Sequence, residues 1–178
     1  MLRRFLLLAA LLVLLVAGGG IAVARGTPSL SAEGPTAVAG TEASAVFEVG
    51  DSTIRQVRYA DGGTLRYTFR IANDGRLPVR VAGLADAQAP TRLFTITSIS
   101  EGTIPPGEAE EFTLSLQMAG CETLSSRAGS FVTRVVVRTE TAGMFDDTVD
   151  LVLPEEVHTG SPREAFCPNS TATSRPPG

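Results

Sequence analysis

Leu65-Arg66-Tyr67-Thr68-Phe69-Arg70-Ile71 decides the fold class. Apolar residues stand at every odd position and Arg66, Thr68 and Arg70 at every even one. A period of two places one face in a core and the other in water, which is a half-buried β-strand. Asn73-Asp74-Gly75 follows and offers the positive-φ positions of a tight turn. The chain then returns as Leu77-Pro78-Val79-Arg80-Val81, alternating again. Pro78 has no amide hydrogen, so the returning strand is expected at an edge or at a bulge.

Working outward, the same rhythm recurs at residues 43–49, 54–59, 92–99, 110–118, 131–139 and 148–153. Ile104-Pro105-Pro106-Gly107 marks a turn ahead of 110–118, where Met118 continues the apolar alternation. About eight strands with no amphipathic helix between them predict an all-β fold, two antiparallel sheets stacked as a sandwich. No internal repeat is present, so residues 42–167 read as a single domain of about seven or eight strands.

The order Tyr67-Thr68-Phe69-Arg70-Ile71-Ala72-Asn73-Asp74-Gly75-Arg76-Leu77-Pro78-Val79 resembles the strand, Asn-x-Gly, Pro-Val, strand stretch of bacterial immunoglobulin-like domains. Ile104-Pro105-Pro106-Gly107-Glu108 before an alternating strand is similar to the Pro-Gly turn of the same modules, which include ASH/hydin-type and adhesion-like families. The resemblance covers about residues 43–153. It implies an immunoglobulin-like sandwich with a role in spacing, scaffolding or partner binding, and it carries over no functional residue. The chain has no Trp, so the antibody-type arrangement of core cysteines around a Trp is missing.

The start of the chain sets the compartment. Two arginines, Arg3 and Arg4, precede an unbroken apolar run from Phe5 to Val16. Gly18-Gly19-Gly20 and Ala22-Val23-Ala24 then supply a helix breaker and a small-residue cleavage site. Residues 1–24 are therefore a cleaved signal peptide or an uncleaved hydrophobic helix just long enough to anchor in a bilayer. Both readings place the remainder outside the cytoplasm, secreted or tethered to the cytoplasmic membrane. Residues 25–41 are expected as a flexible linker and 168–178 as a disordered tail.

Net charge is −4, and removing residues 1–24, which hold two arginines and no acid, leaves −6. That acidity argues against nucleic acid as a partner. Outside the cytoplasm the only two cysteines, Cys121 and Cys167, are expected to form a disulfide. Such a bridge would stabilise by roughly 4 kcal/mol through chain entropy.

Catalytic signatures are sparse. There is no Lys, hence no Walker A lysine or Schiff base. His158 is the one His, and it reads as a loop residue past the last strand, a poor general base. Asp146, Asp147, Asp150, Glu155 and Glu156 offer hard oxygen ligands without the rhythm of a calcium loop, and read as a hairpin end plus a solvated loop. Met118, Met144, His158 and a thiol would be soft ligands for copper, but Met118 continues the alternation of its strand and reads as core. The Asn169-Ser170-Thr171 sequon matters only in a glycosylating pathway. Arg66 and Arg70 on one strand with Arg134 and Arg138 on another would form a basic stripe if the strands were neighbours.

The expectation is a non-enzymatic, extracytoplasmic structural or protein-interaction module. It would use no cofactor and would engage an envelope protein or cell-wall polymer. The alternative is a module that binds a metal or small ligand.

Overall fold

The computed structural model describes residues 28–58, 62–89, 91, 93–118 and 130–159, together with residues 10 and 13. The rest of the leader, Cys121, Cys167 and the tail with its sequon lie outside the described residues. Among the described residues no helix is long and apolar enough to cross a membrane.

Among the described residues ten strands form: β1 (Leu30–Ala39), β2 (Ala43–Val49), β3 (Ser52–Arg58), β4 (Thr64–Asn73), β5 (Val79–Leu84), β6 (Phe94–Ile99), β7 (Gly102–Ile104), β8 (Ala109–Met118), β9 (Ser130–Thr141) and β10 (Phe145–Thr159). They make a four-stranded sheet in the order β1-β4-β8-β6 and a six-stranded sheet in the order β2-β3-β10-β9-β5-β7. Every pairing is antiparallel except β3 with β10. The all-β, two-sheet fold expected from the alternation is what the described residues from 28 onward adopt, and the expected N-terminal hydrophobic helix lies outside them.

Period-two patterning builds the core. Leu65, Tyr67, Phe69 and Ile71 of β4 and Phe112, Leu114, Leu116 and Met118 of β8 point inward. They meet Val135 and Val137 of β9 and Leu151, Leu153 and Val157 of β10 from the other sheet. Burying each large apolar side chain contributes about 1.5–3 kcal/mol. The Pro105-Pro106-Gly107-Glu108 turn forms as expected: Glu108 N donates to Pro105 O at 3.2 Å, and Gly107 has φ +73°.

Four expectations change. β1 occupies ten residues whose Ala, Gly, Pro and Thr composition reads as linker; its pairing with β4 supplies the order that composition withholds. Asn73 does not begin a hairpin. It ends β4 fully buried, and the chain crosses to the other sheet. Its side-chain amide donates to Leu77 O (2.8 Å) and Ile104 O (3.0 Å), while its Oδ1 accepts from Gly75 N (3.0 Å), an Asx turn. Pro78 precedes β5 rather than lying within an edge strand, and β5 runs between β9 and β7.

β10 extends well beyond residue 153. Val149, Leu151, Leu153, Glu155, Val157 and Thr159 all face inward through Pro154. The missing proline amide falls where the β9 register shifts, between Val152 and Val157, so no ladder bond is broken. His158 is therefore a strand residue and Glu155 a buried one, not parts of a solvated loop.

Candidate interaction face

The carboxylate made conspicuous by burial is Glu155. It faces inward on β10 and forms an ion pair with Arg55 of β3, whose guanidinium also donates to Thr36 Oγ1 of β1 at 2.9 Å. Tyr67 of β4 is buried beside this pair, its phenol oxygen near Glu155 and Thr36 but not in hydrogen-bond geometry with either. Burial foremost, then the Glu155 charge, pushes the Tyr67 phenol well above its ordinary value near 10. These four residues tie both sheets together. The cluster holds charge in place rather than presenting it.

The outward arginines do not form one surface. Arg66 and Arg70 stand on β4 in the four-stranded sheet, Arg134 and Arg138 on β9 in the six-stranded sheet. Outward side chains of stacked layers point in opposite directions, which separates the expected stripe into two halves. Arg70 lies 3.4 Å from Glu33 and donates to Ala109 O. Arg134 pairs with Asp150 at 2.9 Å, and Arg138 donates to Ala82 O at 3.2 Å.

Asp146, Asp147 and Thr148 line a shallow groove with Arg138, Thr139 and Ala82. Asp147 Oδ1 accepts from Thr148 N at 2.8 Å, which caps the backbone locally. Among the described residues no three His, Cys, Asp or Glu side chains gather closely enough to hold a metal ion.

What stands out instead is apolar and exposed. Val46, Phe47 and Val49 of β2 are 47%, 50% and 57% exposed, Phe131 of β9 58% and Val152 of β10 55%. Register explains the grouping. Ala45 of β2 pairs with Gln56 of β3, Gln56 with His158 of β10, and His158 with Phe131 of β9, one row across four strands. Phe47, Ile54 and Glu156 make the adjoining row. Residues paired across a ladder share a face. The outer surface of this half of the six-stranded sheet thus carries Phe47 and Val49 at one side, a polar strip of Gln56, Glu156 and His158, and Phe131 at the other. The Phe131 and His158 rings stack with centroids 6.1 Å apart.

The hairpin that carries half of this face is locally well specified. Gly50 and Asp51 form the two-residue loop between Val49 and Ser52, and Gly50 takes φ +61°, the glycine-first pattern of a type II′ turn. Thr53 Oγ1 donates to Glu48 across the strands at 2.9 Å. A groove of about 460 Å³ runs along the hairpin, lined among others by Ala43, Ala45, Phe47, Gln56 and Arg58.

The alternation of residues 43–49 predicts an opening strand and singles out none of them as a site. Its Ala-Ser-Ala-Val-Phe-Glu-Val pattern looks like any half-buried strand. Only the sheet order reveals that it lies outermost. No family model matches the chain, and no curated protein matches it.

Proposed function

We propose that this chain is a non-enzymatic, extracytoplasmic interaction module with an immunoglobulin-like sandwich, binding protein partners through the β2–β3 side of its six-stranded sheet. The single observation that carries the reading is that four large apolar side chains stand exposed on one face, Phe47 and Val49 on β2, Val152 on β10 and Phe131 on β9, with the polar strip of Gln56, Glu156 and His158 between them. Apolar patches rimmed by polar groups mark interaction sites in soluble domains. The immunoglobulin-like part is supported by strand order. β1-β4-β8-β6 matches the A-B-E-D sheet of that fold, and β10-β9-β5 matches G-F-C. The β2–β3 hairpin is then an addition to the plan, and additions on a common scaffold are where function concentrates.

Compartment rests on the basic, apolar and small-residue run of residues 1–24. β1 begins at Leu30, so residues 25–29 are the whole link to that segment. Five residues span at most about 17 Å. An uncleaved leader would hold the Leu30 end of the sandwich close to the membrane.

Photoreactive side chains at Phe47 and Phe131, with one at Arg66 on the opposite layer as control, test this in the native envelope. Crosslinks to protein from the first two positions and none from Arg66 are expected. Equal yield from all three, or none from any, would overturn the reading.

A further inference from the structure

The four sheet edges are not alike. β1 is irregular between Glu33 and Ala37 and carries Pro35 there. β6 is irregular between Ile96 and Ser98, and β7 is only three residues long. Bulges, prolines and shortness are the devices by which sheets avoid pairing with other chains. β2 has none of them. It is seven residues with no Pro and no basic residue, it pairs with β3 in unbroken register, and every residue in it is exposed. Among the described residues nothing lies on its outer side. Alternate backbone N–H and C=O groups of such an edge strand point away from its neighbour, ready for another strand.

β2 also suits itself. When a copy is laid antiparallel about Val46, Ala43 meets Val49, Ser44 meets Glu48, Ala45 meets Phe47, and Val46 meets Val46. All seven residues are used, small side chains lie beside large ones, and the sole charge, Glu48, faces a hydroxyl. Moving the centre to residue 45 sets Glu48 against Glu42, and moving it to residue 48 sets Glu48 against itself. Like charges directly opposed disfavour both. Paired residues share a face, so Phe47 and Val49 of both copies join one continuous apolar surface.

We infer that the partner on this edge is a second copy of the chain, bound β2 to β2 antiparallel about Val46 as an isologous dimer with one continuous sheet. The inference rests on the interaction reading above and names the partner of its β2 edge alone; Val152 on β10 and Phe131 on β9 lie two and three strands away and stay open in this dimer. A two-fold axis there points the two Leu30 ends in opposite directions. The arrangement therefore suits released chains, or chains on facing membranes, rather than neighbours in one bilayer.

The test uses the full chain in detergent, measured by sedimentation equilibrium, with Val46→Arg and Val46→Glu. Circular dichroism confirms that each variant keeps its β-spectrum. The unaltered chain is expected at twice its monomer mass. Each variant alone should fall to monomer, because two like charges meet on the axis, and an equal mixture of the two should return to the doubled mass. A monomeric parent, variants as dimeric as the parent, or a mixture that stays monomeric would each overturn the inference. A monomeric parent whose Phe47 still crosslinks to another envelope protein would overturn the dimer alone. Absence of any crosslink at Phe47 would remove the interaction reading itself.

Discussion

Gly40 has φ +82°, and a Cβ built on it would lie 2.2 Å from the carbonyl oxygen of Thr64. Only hydrogen fits between β1 and the start of β4. Gly50 has φ +61° but open space around it. Gly40→Ala is therefore expected to destabilise well beyond the 1–2 kcal/mol or so that left-handed backbone alone costs an L-residue, while Gly50→Ala stays near that figure. Chemical denaturation of both variants checks the order. Tyr67 gives a pH prediction. Its folded-state ionisation is raised above that of the unfolded chain, so stability is unaffected below about pH 10 and falls as pH rises beyond it, where only the unfolded chain loses the proton. Tyr67→Phe removes a buried hydroxyl that makes no hydrogen bond. It should leave stability at neutral pH within about 1 kcal/mol or raise it, and flatten the alkaline limb of a denaturation series.

Among the elements, the β9–β10 connection is the one with a built-in cost. Ala142 at φ +53° and Gly143 at φ +69° are the central residues of a turn closed by Met144 N donating to Thr141 O at 3.2 Å. Positive φ at both positions is the type I′ requirement, which Asn-Gly meets better than Ala-Gly. Ala142→Asn should stabilise by about 0.5–1 kcal/mol, raising the melting temperature by roughly 2–4 °C on calorimetry. The elements themselves were unevenly legible. β4 and β8 alternate cleanly, and Pro106-Gly107 carries its own turn chemistry, so all three follow from residue order. β1 is poor in large apolar residues and exists because β4 offers it a ladder. The second half of β10 is hidden by Pro154 and by two carboxylates, one of which is tolerated inside only because Arg55 reaches it from β3. Asn73 has the composition of a turn, yet its amide closes a crossing between sheets through contacts 4 and 31 residues away.

For the whole molecule, sheet order decides which residues become a site. Arg66 and Arg134 look equivalent along the chain and stand on opposite layers. Phe47 looks like a core residue and is half exposed, because the pairing of β2 with β3 and of β3 with β10 sets it in the row of Ile54 and Glu156 on the outer face of the sheet. Neither outcome is set by local pattern; both depend on pairings between distant strands. Contact through β2 would bury its outer backbone groups, and amide hydrogen exchange reports that burial strand by strand. The most direct measurement compares exchange of the chain in its native envelope with exchange of the same chain isolated at high dilution. Within residues 43–49 the alternate amides that point away from β3 should exchange slowly in the envelope and fast in isolation, while those of β4 and β8 stay slow in both. Equal exchange of residues 43–49 in the two states would contradict the account.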